Sequence, residues 1–542
     1  MKKRIAAMLI IGVFATAIVW SSGGQSSGNM SGQGSSAGSQ VANMNPTGYP
    51  IAIQPATLRV AVQKRPQHNR SVADFAYFAE LQKKTNVNID WVEWDSASID
   101  EKRQLAFATN QLPDVLLCGV TNMVNYYGNQ KLLTPLNDLI SKYAPDIQAA
   151  LKAYPDTVSM MTNPDDGKWY AMVYIQDPMY TTISGIDLYI NKKWLDNLGL
   201  KVPETITDFH NALLAFKNRD ANGNGNPNDE IPFSFCYQEG APEYSYLGLY
   251  IMFFPFGVAE YNNHMMVVNG KLQHTFTMPA FRDGVRFLGD MYKEGLIDPE
   301  SFSYNRQQYF AACQSKEVGA GIAYAVANNF GRQKEPDYVP LFLKGPNGED
   351  PVIFRSQGSG DPGSGPAIAA SFKIPEIAIR WINELYKPEM AAQIIHGEVG
   401  KYIIPSTDPQ YLYQFSAIPQ GVSEDEYRFT ISNALGTPLY APKNYVPISS
   451  FNIGKKQIDA IKEPYFVKDP LPNFVFNDAE LNEIQPMKTE LNTFAMNTLA
   501  NWIVKGTVDA EWDQVQQQLN RMGLPRYMEI YQKVYDRMMA SR

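Results

Sequence analysis

Cysteine is scarce in this chain: the 542 residues hold three, Cys118, Cys236 and Cys313, far apart and in apolar surroundings. Three thiols cannot all pair, so no disulfide framework holds the fold, and they read as small buried hydrophobes. Histidine is nearly as rare. The five, His68, His210, His264, His274 and His396, show no His-Glu-x-x-His or other metal spacing. No Gly-x-x-x-x-Gly-Lys-Ser/Thr run is present to cradle a phosphate, and neither Cys118 nor Cys313 has a histidine beside it to activate a thiol. Charged residues make up 19% with a net charge of −8, and no basic block occurs beyond the N-terminus. That excludes nucleic acid as a partner. Beyond the N-terminal region no segment approaches a membrane-spanning helix.

What the chain does have is length and aromatic surface. At 542 residues two or more domains are expected. Hydrophobic residues make up 44%, including 31 Tyr, 27 Phe and 8 Trp. Most of these rings belong to ordinary core, but the excess suits flat ligands such as sugar rings. Lys2, Lys3 and Arg4, the apolar stretch Ile5 to Phe14, and Ala15-Thr16-Ala17 form an export signal over residues 1–17. Its apolar run to Trp20 is short for a span, so the N-terminus is either cleaved or kept as an anchor. A Ser/Gly-rich tether follows over 18–55. Its two Gly-x-Ser-x-Gly matches, at Gly24 and Gly34, lie between no strand and helix, so they are compositional.

The globular part opens with a strand, Leu58 to Val62. A helix comes next, started by the capping box Ser71-Val72-Ala73-Asp74 with Phe75, Phe78 and Ala79 turned inward. Val87, Ile89 and Trp91 alternate as a second strand, Ser98 caps another helix, and Val115 to Cys118 is a third strand. This alternation argues a parallel sheet with helices on its faces. A strand from Ile183 to Ile190 precedes a helix that Asn191 caps and Gly199 ends. A second capping box, Thr205 to Asp208, opens a helix with Phe209, Ala212, Leu213 and Phe216 on one face. Phe281, Val285, Leu288 and Tyr292 mark a further helix, and Val318 to Tyr324 a strand. Later helices fall near 375–386, 388–396, from Leu481 to a stop at Gly506, and at 510–522 and 525–540.

The loop Asp220 to Glu230 carries oxygen-bearing side chains at alternate positions. Asp220, Asn222 and Asn224 take the first, third and fifth places of an EF-hand loop, with Gly225 at the sixth. The twelfth place, normally glutamate, is Ile231; Asp229 and Glu230 arrive early and can close a calcium shell. The competing reading is an Asn/Gly turn whose side chains cap their own backbone.

Leu112-Pro113-Asp114, Gly167-Lys168-Trp169-Tyr170, Trp194 to Leu200, Pro203-Glu204-Thr205 and the loop ending Asp229-Glu230-Ile231-Pro232 occur in order behind the signal and tether. With Trp512, Met522-Gly523-Leu524 and Tyr531 to Arg537, this resembles the extracellular solute-binding proteins of family 1, in particular the LplA-type lipoprotein branch with its alginate-oligosaccharide binders. The resemblance covers nearly the whole chain after the signal. It implies a two-lobed α/β periplasmic-binding-protein-like fold of the class II type with a helix-rich second lobe and C-terminus, delivering a saccharide to an ABC importer. It also implies a structural calcium held by Asp220, Asn222, Asn224, the Asn226 carbonyl, Asp229 and Glu230. The loop is one residue longer than the usual pattern, which makes Asn228 a rival to Asp229 or Glu230. The lipid-bearing cysteine of that branch is missing, with Ser21 and Ser22 where it would stand. The expected location is therefore exported, periplasmic or at the cell surface.

The expected lobes are discontinuous: 56–175 with 325–440, and 176–324 with 441–542, the second carrying the calcium loop 220–230. Ligands of open α/β sheets sit at the carboxyl ends of the strands. That nominates Lys64, Arg65, Glu93, Trp94, Tyr170, Tyr174, Tyr324 and Asn329 for ligand contact, with core or surface roles as the ordinary alternative for each. The expected function is a monomeric oligosaccharide-binding protein of an ABC importer, not an enzyme. A secreted calcium-stabilised polysaccharide-degrading enzyme and a peptide binder are the alternatives, since paired carboxylates meet in space and not in sequence.

Overall fold

A computed structural model describes residues 43–65, 68, 70–176, 186–237, 249–260, 264–355, 362–409, 411–420, 422, 424–432, 439–442 and 457–540. The export signal, the tether up to residue 42 and the start of the strand expected from Ile183 lie outside the described residues.

Two four-stranded mixed sheets organise residues 43–540. The first is built from β1 (Ala56–Lys64), β2 (Val87–Asp95) and β3 (Val115–Leu116), with β1 parallel to both others. The second contains β4 (Asp187–Asn191), β5 (Glu230–Ser234), β6 (Glu317–Ala323) and β7 (Tyr338–Leu341). Here β5 and β6 are parallel, while β4 and β7 are antiparallel partners on the other side of β6. A short β8 (Ala367–Ile368) completes the first sheet, antiparallel to β3.

Alternation along β1 sends Leu58, Val60 and Val62 into one core and Ala61 into another, so helices cover the first sheet on both faces. In the second lobe one large core joins Val318, Ala320 and Ile322 of β6 to Phe209, Leu213 and Phe216 of the helix Ile206–Asn218. The same core takes Trp502, Trp512, Tyr527 and Tyr531 from the C-terminal helices. Those helices start with Asp478–Lys505, where Asn477 and Glu480 form a reciprocal capping box and Gly506 closes the end in the left-handed conformation. The capping boxes at Ser71 and Thr205 also form, and Gly199 ends its helix left-handed.

Two boundaries differ from the sequence reading. The expected tether ran to residue 55, but Met44, Ile51 and Ala52 are buried in the first lobe's core, and Met44 bridges Ala52. Those few apolar residues among turn formers are enough to dock the segment. The return to the first lobe, expected at residue 325, comes later. Tyr338–Leu341 pairs with β4, and Leu343 and Ile353 lie in the second core, so the chain has changed sheets only by Ala367.

Candidate functional site

β1 and β2 run in register to their ends, where Lys64 pairs with Asp95 across the strands. The carboxyl edge of the first sheet therefore presents Lys64 and the residues just after it. Lys64 Nζ is 2.7 Å from Glu93 Oε2. The other oxygen of Glu93 accepts bonds from Ser71 Oγ at 2.6 Å and from the Val72 backbone N–H at 2.7 Å. Burial works to raise the Glu93 pKa, but these three donors hold the carboxyl below its ordinary value. Glu93 thus braces the edge and is not a spare acceptor for ligand hydroxyls.

Beyond Lys64, the Arg65 guanidinium lies 5.7 Å from the centre of the Phe429 ring, and His68 packs on the same ring at 5.5 Å. Phe429 and Arg428 come from the helix Glu424–Ile431, which the sequence reading did not single out. On the second lobe, β4 runs against β6 so that Asp187 stands beside Ala323, at the carboxyl end of β6. Tyr324 comes directly after it, 38% exposed. Asn329 ends the short helix Val326–Asn329; it is fully buried, and neither its amide oxygen nor its nitrogen has a partner among the described residues. Arg332, just beyond, donates to the Val422 carbonyl of the first lobe. The carboxyl edge of the first sheet thus carries Arg65 and His68, with Phe429 packed on them, and that of the second carries Tyr324 and Asn329.

Three nominated residues fall elsewhere. Trp94 is 7% exposed and packs with Ile99 and Phe107 in the first lobe. The pleat of β2 turns it under the helix Ile99–Ala108, so it cannot serve as a sugar platform. Tyr170 is likewise core: its ring lies where a Cβ on Gly128 would stand, at 2.3 Å, and its hydroxyl donates to Asp166 at 2.7 Å. Tyr174 is half-buried against the first core, with its backbone N–H near Ser364 Oγ at 3.4 Å. For Trp94 and Tyr170, aromatic character suggested a ligand role that burial assigns to packing.

The Asp220–Glu230 loop coils around its own carboxylates. Asp220 accepts from the backbone N–H groups of Gly223, Asn224 and Gly225 at 2.9–3.1 Å. Asn222, Asn224 and Asn226 each accept from a backbone N–H two residues on. Glu230 Oε1 accepts from Ala221 and Asn222, while its Oε2 is buried without a partner among the described residues. The side-chain nitrogens of Asn222 and Asn224 donate to Asp229 at 3.2 and 2.7 Å. Among the described residues no three His, Cys, Asp or Glu side chains form a metal-holding group, so amide and carbonyl oxygens must supply the rest of any shell. That mixture suits a hard oxygen-seeking ion, and the unpartnered Glu230 oxygen is the kind of atom such an ion satisfies. Both readings of the loop are thus compatible with its geometry, and Asn228 contributes a backbone N–H to Asn226.

Burial pushes the Cys118 and Cys236 thiols up to about 11 and Cys313 up to about 12, away from nucleophilic character. Burial also holds three imidazoles neutral. His274 is pushed down to about 3; His68 to about 4, with Arg65, Lys64 and Arg428 adding to burial; and His396 falls well below its ordinary value. In the unfolded chain each titrates near 6.5, so the unfolded state binds more protons below that pH. Stability is therefore full above about pH 6.5 and declines as pH falls. For His274 the loss is about 2 kcal/mol at pH 5, less for the partly screened His68, and His396 adds to it in the same direction. Melting temperatures measured from pH 7.5 to 5 should fall steadily; a flat profile would contradict the neutral assignments.

Comparison with known proteins places this architecture. A family model described as bacterial extracellular solute-binding protein matches residues 66–392. The fructooligosaccharide ABC transporter substrate-binding protein FusA of Streptococcus pneumoniae serotype 4 (strain ATCC BAA-334 / TIGR4) is 29% identical over 505 residues, covering 90% of this chain and 91% of that protein. The solved structure of S. pneumoniae FusA in complex with kestose superposes with a TM-score of 0.78 at 28% identity, over 90% of this chain and 100% of that one. A FusA EF-hand mutant in complex with fructo-nystose gives 0.77 at 27% identity, over the same shares of the two chains. With a family model spanning more than half its length and a two-lobed architecture to match, this chain belongs to the bacterial extracellular solute-binding proteins.

Proposed function

We infer that this protein is the exported substrate-binding component of an ABC importer and takes an oligosaccharide between its lobes for delivery to a permease. The observation that carries the reading is the set of groups at the carboxyl edges of the two sheets. It presents an exposed tyrosine, a buried unpartnered amide and a cation–ring cluster from opposite sheets. A tyrosine face suits the apolar side of a sugar ring, and an amide can both donate to and accept from hydroxyls. Closure of two lobes about their connecting segments encloses such a ligand. The near full-length likeness to a fructooligosaccharide-binding protein supports the saccharide class. No described helix is long and apolar enough to cross a membrane; tethering at the cell surface would rest on the N-terminal residues.

Titration calorimetry with an oligosaccharide panel tests this. Saturable binding, with the sugar recovered uncleaved, is expected. Tyr324→Ala should weaken it about tenfold at an unchanged melting temperature, within the 1–3 kcal/mol that stacking on an aromatic ring contributes in other ligand sites. Shortened sugars would turn the reading toward an enzyme, and no binding at all would remove it. We also infer a structural calcium in the Asp220–Glu230 loop, held by Asp220, Asn222, Asn224, the Asn226 carbonyl, Asp229 and Glu230. The unpartnered Glu230 oxygen supports it, as does an EF-hand in the similar FusA.

A further inference from the structure

A partly open cavity of about 290 Å³ lies beside the exit of β5, against the helix Asp478–Lys505. Tyr237, Phe302, Tyr304, Asn305, Asn497 and Ala500 are among the residues that line it. None of these was nominated from sequence, because they come from three distant stretches of chain. Topology puts the cavity on the ligand side of the second lobe. Phe233 of β5 bridges Ile297 in parallel, so the segment after Ile297 runs alongside β5 in the same sense. It reaches the carboxyl edge at Tyr304 and Asn305, where the helix Arg306–Ser315 turns back to feed β6. Tyr237 lies just past Ser234, the last residue of β5, at that same edge. Tyr324 leaves β6 there too, and β6 is the strand next to β5. The cavity is thus one strand along from Tyr324.

Its chemistry is specific. The ring centres of Tyr237 and Phe302 are 5.4 Å apart and tilted by 48°, forming an angled apolar wall. The hydroxyls are committed elsewhere. Tyr237 donates to the Met496 carbonyl at 2.5 Å, and the Tyr304 hydroxyl lies 3.1 Å from Asp298 and 2.8 Å from Glu300 and accepts from Lys316 at 3.0 Å. The rings therefore offer faces and not polar tips. Asn305 uses its side-chain oxygen to cap Gln308, which leaves its amide nitrogen for other use. The side chain of Asn497 is exposed on its helix. Among the described residues no charged side chain lines the cavity. Its volume is near the lower end for small-molecule sites, about 300 Å³, which is room for one ring and not a chain.

We propose that this cavity is a subsite for one uncharged sugar residue of the bound oligosaccharide, so that the ligand reaches from the Tyr324 edge past the end of β5. The proposal rests on the importer reading. It selects neutral oligosaccharides over uronate-containing ones, whose carboxylates would meet aromatic faces and amides, since Lys316, bonded to the Tyr304 hydroxyl at 3.0 Å, is neutralised by Glu300.

The test is calorimetry on the full chain with kestose, longer neutral fructo-oligosaccharides and trigalacturonate. Ala500→Phe fills the cavity, and Asn497→Ala removes an amide at an exposed helical position. Wild type should bind a neutral oligosaccharide. Ala500→Phe should weaken that binding tenfold or more and Asn497→Ala about threefold to tenfold, both with wild-type melting temperatures. Wild-type affinity in both variants would overturn the subsite while leaving the importer reading intact. Binding of trigalacturonate alone would overturn it as well. If wild type bound none of these sugars, the importer reading itself would fall for this panel and the subsite with it.

Discussion

Replacing Lys462 with methionine is expected to cost about 3–5 kcal/mol of folding stability, the usual penalty for removing one partner of a buried ion pair. Lys462 bonds to Asp187, and the two side chains are only 4% and 1% exposed. Asp187 opens β4 at the carboxyl edge of the second sheet, just past the first passage between the lobes. Lys462 lies in the last segment to return to that lobe, ahead of the C-terminal helices. Without the lysine, the Asp187 carboxylate would be left in a low-dielectric site with its counter-ion gone. It must then admit water or take up a proton, and either opens the packing where the lobes join. The double variant Asp187→Asn/Lys462→Met should recover much of the loss, since replacing both members of a buried ion pair is far milder than removing one. Urea unfolding at constant slope measures each quantity. A loss below about 1 kcal/mol for Lys462→Met would mean the pair behaves as a surface ion pair in solution.

The parts of this fold that were legible in the sequence are those decided locally. Leu58, Val60 and Val62 alternate because one face of β1 is buried, and Ser71, Asn191 and Thr205 begin helices through bonds to backbone within three residues. The family-level motifs around Trp194 to Pro232 were legible for the same reason: they describe two short helices, their caps and one loop. What stayed hidden depends on partners distant in sequence. Nothing in Tyr338–Leu341 says that it pairs with Asp187–Asn191 in the second sheet. Glu93 reads as an open carboxylate until Lys64 and Ser71 are seen on it. Trp94 and Tyr170 have the right chemistry for a sugar, but their position beneath Ile99–Ala108 and on Gly128 makes them core. The reverse holds for Tyr237, Asn305 and Asn497, which look ordinary singly and acquire meaning only when the sheet edge brings them round one cavity.

Removing calcium should lower the melting temperature of this protein, and Glu230→Gln should abolish the difference. In the structure Glu230 Oε1 holds the Ala221 and Asn222 N–H groups, while Oε2 is buried and unpartnered among the described residues. Glutamine keeps an oxygen for the backbone bonds but removes the charge, so the turn survives and the metal site does not. A loop held by Asx turns alone, in which Asp220 and Asn222 already bond to Gly223, Gly225 and Asn224, predicts no response to chelator at all. Linkage sets the expected size. An ion at one hundred times its dissociation constant stabilises the folded state by about 2.7 kcal/mol. For a lobe of about 150–250 residues unfolding as a unit, that is about 5–10 °C. Magnesium should substitute poorly, because a loop of alternating amides and carboxylates does not readily supply its compact octahedral shell. Scanning calorimetry with EDTA, calcium and magnesium, alongside elemental analysis of protein dialysed without chelator, gives the answer. An unchanged melting temperature together with no bound metal would leave the Asn/Gly turn as the whole account of the loop. A shift that persists in Glu230→Gln would place the ion on Asp220 and Asp229, with Glu230 confined to bracing the backbone.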